Sequence, residues 1–334
     1  MKTVIMLTAV FLYLLVTAAA PPIAGADEHE QKAVLVTGAS SGIGLKITER
    51  LAAEGHFVYA GARKPADIER LSAMDNVMGI RLDVTEQEEI DAAVALVREE
   101  GRGLWGIINN AGVYAGGPML EMSEEDLQFQ LDVNIFGPYR VNQAFADMIL
   151  ESGGRFNVIS SISGTLSGPG SGAYSMSKHA MEAYTDSLAA EMMMVGSPVK
   201  VSSIAPGNYK SKIAESACKR VLESGLLDEE SRWPAYNERM IERCKDASRS
   251  EYPEPDDVAD AALHAMFAEN PKEHYMVVPV RSEAEWTIYK AIEEVVELNR
   301  DHKFSVTRDE LVEMLDDELE TGDGFERAIQ RPRQ

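Results

Sequence analysis

A tyrosine and a lysine four positions apart, Tyr174 and Lys178, are the pair in this sequence best suited to proton chemistry. On a helix two such residues share one face, with Cβ atoms roughly 5–6 Å apart. A free phenol titrates near about 10 and a free ammonium near about 10.4. A fixed positive charge favours the phenolate, so Lys178 is expected to lower the pKa of Tyr174 and make it a proton donor usable near neutrality. Ahead of the pair an apolar run ends in Ser160 and Ser161, followed by a loop carrying Gly164, Ser167, Gly168, Pro169, Gly170 and Gly172. Strand, loop and helix start in that order bring the Ser161 hydroxyl toward the phenol.

A second constellation lies near the start of the chain. The apolar run 32–37 leads into Gly38-Ala39-Ser40-Ser41-Gly42-Ile43-Gly44, and a helical pattern follows from Leu45. A glycine-rich turn between strand and helix presents a helix N-terminus and free backbone N–H groups to a phosphate. The three glycines serve a tight turn, a close approach to a pyrophosphate, and close packing of helix on strand. The next apolar run, 56–62, ends in Arg63 and Lys64 with no carboxylate. A carboxylate there would grip a ribose 2′-hydroxyl, whereas an arginine accommodates a 2′-phosphate, so this end points to NADP(H) with NAD(H) as the other choice.

The elements that must position these residues follow from the hydrophobic pattern. Residues 77–82 end at Asp83, a helical stretch covers 86–99, and residues 104–108 run into Asn109-Asn110-Ala111-Gly112. Strands alternating with helices imply an α/β, doubly wound Rossmann fold, a largely parallel sheet of about seven strands with helices on both faces. Ligands then bind at the carboxyl ends of the strands, where the glycine turn, Asp83, Asn110 and Ser161 all fall. Residues 123–150 read as one long helix capped by Ser123 with Asp126 three positions on. Asn134 and the Gly137-Pro138 pair disfavour a helix interior and predict a kink near Asn134. Residues 199–204 form another strand leading into Ala205-Pro206-Gly207-Asn208-Tyr209-Lys210-Ser211, and 212–252, with Trp233, Tyr236 and Met240, is too long for a simple connection and reads as a lid or substrate wall.

Composition narrows the partners. The 334 residues carry 55 acidic against 32 basic side chains, a formal net charge of -23 that repels nucleic acid. The N-terminus differs from everything after it: Lys2, an uncharged and largely apolar run over 3–20, then Ala24-Gly25-Ala26. This pattern is that of a secretory signal peptide cleaved after Ala26, with an uncleaved membrane anchor as the alternative. Either places the body of the protein outside the cytoplasm: periplasm, extracellular space or secretory lumen. The only two cysteines, Cys218 and Cys244, can pair in an oxidising compartment but are no disulfide framework, and no Cys/His group has metal-ligand spacing.

Taken together, Thr37-Gly38-x-x-x-Gly42-x-Gly44, Asn109-Asn110-Ala111-Gly112, Asn134, Ser161, Tyr174-x-x-x-Lys178 and Pro206-Gly207 resemble, in order, the motifs of the short-chain dehydrogenases/reductases of the shorter, single-domain branch. The resemblance spans about 32–280, which divides the chain into an N-terminal leader or anchor (1–26), a catalytic Rossmann domain (31–281) and an acidic helical extension (282–334). It implies hydride transfer between a nicotinamide dinucleotide and a small alcohol or carbonyl substrate of lipophilic kind. Tyr174 would be the acid/base, Ser161 would polarise the substrate oxygen, and Lys178 would lower the tyrosine pKa and bond the nicotinamide ribose. Asn134 would hold a relay water. The glycine turn from Gly38 through Ser40, Ser41, Gly42 and Ile43 to Gly44 would take the pyrophosphate, Ser41 and Arg63 the 2′-phosphate, and Asp83 the adenine. Asn110, with Ala111 and Gly112, would meet the adenosine ribose, and Pro206, Gly207 and Ser211 the carboxamide. Many NADP-using relatives carry Arg or Lys where Ser41 stands. The helices over 123–150 and 172–195 resemble those that build homodimers and homotetramers. A non-catalytic dinucleotide-binding sensor of the same fold is the rival reading.

Overall fold

A computed structural model describes residues 31–223, 231–245 and 252–322. The leader or anchor expected over 1–26 and the last residues of the extension lie outside the described residues. Among the described residues no helix is long and apolar enough to cross a membrane.

Seven strands form one parallel sheet: β1 (Ala33–Val36), β2 (Phe57–Ala62), β3 (Val77–Arg81), β4 (Gly106–Asn109), β5 (Arg155–Ile159), β6 (Lys200–Pro206) and β7 (His274–Val277), in the order β3-β2-β1-β4-β5-β6-β7. Every neighbouring pair is parallel, with Leu35 opposite Tyr59 and Ile107, and Ser203 opposite His274. The strand order reverses between β1 and β4, so a crevice opens at their carboxyl ends.

Strand side chains alternate between faces, and both faces are covered. Val34 and Val36 of β1 join a core with Ile47 and Leu51 of α1 (Gly42–Ala53), Leu71 of α2 (Pro65–Ser72) and Val258, Ala262 and Met266 of α9 (Asp256–Phe267). Ala33 and Leu35 point the other way, to Ile90 and Val97 of α3 (Gln87–Glu100), Val141, Phe145 and Ile149 of α5 (Gly137–Ser152) and Leu188 of α6 (Gly172–Met194).

The expected cap holds: Ser123 Oγ accepts from the Asp126 N–H at 3.0 Å and opens α4 (Glu124–Leu131). The expected kink takes the form of a π-helical turn over Asp132–Phe136, after which α5 begins at Gly137 with Pro138 in its first turn. Proline lacks the N–H that a continuing ladder needs, and a helix start tolerates that loss.

The expected lid is a pair of helices, α7 (Lys212–Glu223) and α8 (Pro234–Lys245), joined by a disulfide between Cys218 and Cys244. Beyond β7 come α10 (Arg281–Leu298) and α11 (Arg308–Thr321), the latter opened by a capping box of Thr307 and Glu310. The domain boundary expected at 281/282 falls in the first turn of α10, whose Glu283 and Thr287 are buried against the rest.

Candidate active site

Thr37, directly after β1, has a buried hydroxyl that accepts the backbone N–H groups of Asn110 and Ala111, both at 3.0 Å. Asn110 answers with its amide nitrogen, which donates to the carbonyls of Thr37 at 2.9 Å and Gly38 at 3.1 Å. The two strand ends flanking the crevice are thereby locked together. The locking role of Thr37 is invisible to spacing alone, because its partners lie 73 and 74 residues away.

Gly38 and Gly42 have φ of 64° and 55°, a left-handed conformation that costs other residues energy. A Cβ at Gly44 would collide with the Asn110 amide and the Gly38 carbonyl. Ser211 lies over Gly42, within 3.1 Å of where a Cβ would stand, so the turn after β1 and the loop after β6 meet. Ser41 starts α1 without a side-chain cap bond, and Ile43 packs on the core beneath. Ser40 receives an unforeseen partner: Arg70 of α2 donates to its carbonyl at 2.6 Å.

Arg63 and Asp83, expected to serve different parts of a dinucleotide, are neighbours at 3.5 Å. Burial alone would raise the Asp83 carboxyl, but the N–H and hydroxyl of Thr85, with Arg63 beside it, hold it below the usual range. The Arg63 side chain, just past the end of β2, is 63% exposed.

The catalytic set gathers around α6. Ser161 leads into the 3-10 turn Ile162–Gly164, its Oγ accepting from the Ser163 N–H at 3.1 Å while hydrogen-bonding to Tyr174. The Lys178 ammonium is buried, lies 5.5 Å from the centre of the Tyr174 ring and donates to the Ile159 carbonyl at 2.8 Å. The lowering of the tyrosine pKa expected from the lysine is not what this site does. Burial pushes Tyr174 up to about 12, with Tyr114 adding to the rise and Ser161 opposing it. Burial also pulls Lys178 down to about 8, opposed by Glu182. Desolvation disfavours both charged forms.

Asn134 does not stand free. Its amide nitrogen donates to the Val113 carbonyl and to Ser177 Oγ, both at 3.0 Å, and its oxygen accepts the Val113 N–H at 2.8 Å. It fixes the loop after β4 against α6. Gly112 passes close by: a Cβ there would sit 3.5 Å from Asn134 Oδ1 and 3.9 Å from Lys178 Nζ.

Pro206 and Gly207 close the other side. The Gly207 N–H donates to Val277 at 2.8 Å, and Asn208 donates its backbone N–H at 3.0 Å and its side-chain amide at 2.7 Å to the Glu283 carboxylate. A Cβ at Gly207 would strike Glu283. Glu283 was missed in the sequence because it stands in a helix otherwise read as an appendix.

Aromatic and apolar side chains stand beside Tyr174 and against the loop that leads into it. Tyr114 stacks obliquely at 5.1 Å and donates its hydroxyl to the Gly170 carbonyl at 3.0 Å. Gly170 is met by Tyr236 and Met240 of α8, and Gly172 by Met119. The segment entering α8 docks through the Glu121 carboxylate, which accepts from Ser231 Oγ at 2.9 Å and the Arg232 N–H at 2.5 Å.

A glycine cradle at the strand-order reversal and a Ser-Tyr-Lys set beside it define a family as well as a site, and the family model described as short chain dehydrogenase matches residues 32–221. The chain belongs to the short-chain dehydrogenase/reductase family. It is an NAD(P)-dependent oxidoreductase of that family, of the class acting on CH–OH and C=O groups. It is similar to the Uncharacterized oxidoreductase YbbO of Escherichia coli K12, 34% identical over 75% of this chain and 87% of that one. Human Retinol dehydrogenase 16 is 33% identical over 73% of this chain and 80% of its own. Among solved structures, a short-chain dehydrogenase/reductase from Burkholderia phymatum in complex with NAD has a TM-score of 0.66 at 26% identity, covering 83% of this chain and 98% of that one. The glycine cradle described above, which side chains would fill, fits a nicotinamide dinucleotide.

Proposed function

We propose that the protein is an NADP(H)-preferring oxidoreductase that interconverts a lipophilic alcohol and its carbonyl, with Tyr174 as the acid/base. The observation that carries the reading is the convergence of the Ser161 hydroxyl, the Tyr174 phenol and the buried Lys178 ammonium at one strand edge beside the glycine cradle.

When bound, the nicotinamide supplies or accepts the hydride. Everything else falls to the protein. The Ser161 hydroxyl hydrogen-bonds the substrate oxygen and polarises it. The Tyr174 phenol, held protonated by burial across the neutral range, gives its proton to that oxygen as the carbonyl is reduced. The Lys178 ammonium, anchored on Ile159, favours the phenolate left behind. Asn134 keeps the floor of the site in register through Val113 and Ser177.

The preference for NADP(H) rests on Arg63, exposed just past the end of β2, a strand that itself ends in no carboxylate, although Asp83 of the next strand's end lies 3.5 Å away. The lipophilic substrate rests on the walls of Tyr114, Met119, Tyr236 and Met240. The name of the retinol-acting relative agrees with it. An exported or secretory-lumen location is part of the same proposal, supported by the Cys218–Cys244 disulfide, which persists in oxidising compartments.

The test is fluorescence titration of residues 27–334 with NADPH and NADH, then nicotinamide absorbance against bulky ketones and aldehydes. Tighter NADPH binding with turnover supports the reading. Failure to bind either nucleotide overturns it.

A further inference from the structure

One turn beyond Lys178 on the same face of α6 stands Glu182, and its surroundings are built. Its Oε2 accepts from Ser203 Oγ of β6 at 2.6 Å and lies 3.0 Å from His274 Nδ1 of β7. Ser203 and His274 are register partners in the sheet, and the His274 Nδ1 is also 3.0 Å from Ser203 Oγ. Its Oε1 turns inward toward the buried Ser160 hydroxyl; a Cβ at Gly164 would touch the two at 3.1 and 3.2 Å. Burial by itself would raise the Glu182 carboxyl, yet His274, Ser160 and Ser203 hold it below the usual range, so it is ionised.

His274 looks the other way as well. Its Nε2 lies 2.9 Å from Asp186 of α6 and 3.9 Å from Glu273 of β7. With Nδ1 on the Glu182 carboxylate and Nε2 on that of Asp186, both ring nitrogens are placed to donate, which the imidazolium alone can do. Its bond to Glu182, with the charges of Glu182, Asp186 and Glu273, raises its pKa. About half of the His274 side chain reaches solvent.

The charged and titratable groups around the chain are few. Lys178 has Tyr174 and Glu182 on its own helix and Tyr114 beside the tyrosine. Glu182 has Lys178 on one side and His274 on the other. The partly buried Glu182 carboxylate therefore stands one helical turn from the Lys178 ammonium and in hydrogen-bond contact with His274.

We propose that Glu182 is a positioning residue that keeps the Lys178 ammonium charged, and that His274, gaining or losing its proton at the surface, sets how strongly it does so. With His274 protonated, Glu182 is largely neutralised and its hold on Lys178 is weak. When His274 loses its proton, the full negative charge acts on the lysine. The active site would thus sense solvent pH through a relay of three side chains and no moving part. The functional part of this rests on the acid/base reading of Tyr174 and Lys178; the electrostatic part stands without it.

The test is a pH titration of Lys178 by the NMR shift of its ε-carbon in protein labelled with 13C-lysine, assigned by loss of the signal in Lys178→Arg. In the unsubstituted protein the midpoint is expected at about 8. Glu182→Gln moves it down by about one pH unit, the size of effect an opposite charge exerts at close range. His274→Gln, at a half-exposed position, moves it up. Opposite movements by two members of one hydrogen-bonded chain are the expected signature, and a purely structural role would not give them. Midpoints that stay put, or that fall in both variants, overturn the proposal. If Glu182→Gln fails to fold, the direction in His274→Gln alone decides. The midpoints are read without substrate, so an inactive protein whose midpoints move as stated refutes the proposed function and leaves the relay intact.

Discussion

Lys178 Nζ donates to the carbonyl oxygen of Ile159 at 2.8 Å, so the last residue of β5 holds the ammonium that stands beside Tyr174. A buried cation held mainly by one carbonyl is destabilising, and its pKa falls to about 8 against about 10.4 unfolded. Between those values the unfolded chain binds more protons, so stability rises with pH across the window. Lys178→Met is expected to stabilise the fold by about 1–3 kcal/mol at pH 7 and to lose that advantage above about pH 10.4. Urea unfolding at the two pH values measures it.

The same ammonium sets a pH limb. Carbonyl reduction is expected to decline above pH 8, where Lys178 loses its charge, while Tyr174, pushed up to about 12, stays protonated. Tyr174→Phe should lower kcat by roughly 10²–10⁴-fold, the range for losing a general acid. Its affinity for NADPH should be unchanged. Steady-state rates across pH, with binding followed separately, decide both points.

Cofactor choice is expected to turn on Arg63, whose nearest acidic partner, Asp83, is 3.5 Å away. Arg63→Ala should weaken NADPH binding by about tenfold to a hundredfold, the worth of one or two charge-assisted hydrogen bonds. NADH binding should hardly change. Equal losses for both nucleotides would show that Arg63 supports the fold of this corner instead of reading a 2′-phosphate.

Gly44 is fixed by its neighbours. A methyl group there would push against the Asn110 amide and the Gly38 carbonyl, breaking the lock between β1 and β4. Gly44→Ala should destabilise the protein by about 1–3 kcal/mol, the range for overpacking. Nucleotide affinity should fall even where the variant remains folded, as thermal unfolding and fluorescence titration can show side by side.

The Cys218–Cys244 disulfide closes a loop of 26 residues between the two lid helices. In the chain-entropy picture a loop of that size contributes about 3.5 kcal/mol. Cys218→Ser, or mild reduction, should speed hydrogen exchange in α7 and α8 and raise KM for bulky substrates several-fold. Exchange in the sheet, and kcat, should change little, since Tyr174 and Lys178 stand on α6 and Ser161 just after β5.

Most of the framework was legible in the sequence because it depends on local rules. Alternation of apolar runs with helical stretches yields the seven parallel strands, Asn134 and Gly137-Pro138 yield the π turn, and Ser123 with Asp126 yields a cap. The site residues stand at strand ends because strand ends are where such motifs begin. What escaped are relationships between distant residues. Arg70 reaching Ser40 and Glu283 gripping Asn208 leave no local signature. The sign of the Tyr174 shift escaped for another reason: spacing reports the nearby charge, whereas desolvation depends on how tightly the whole site is packed.

The bond from Asn208 to Glu283 also orders events during synthesis. The loop after β6 leaves the ribosome 75 residues before the carboxylate that fixes it. Chains grow at roughly 5–20 residues per second. For several seconds, then, the sheet through β6 can assemble while the amides of Asn208 lack the carboxylate that later holds them. That edge of the site is complete only once α10 has been made and its Glu283 can reach Asn208.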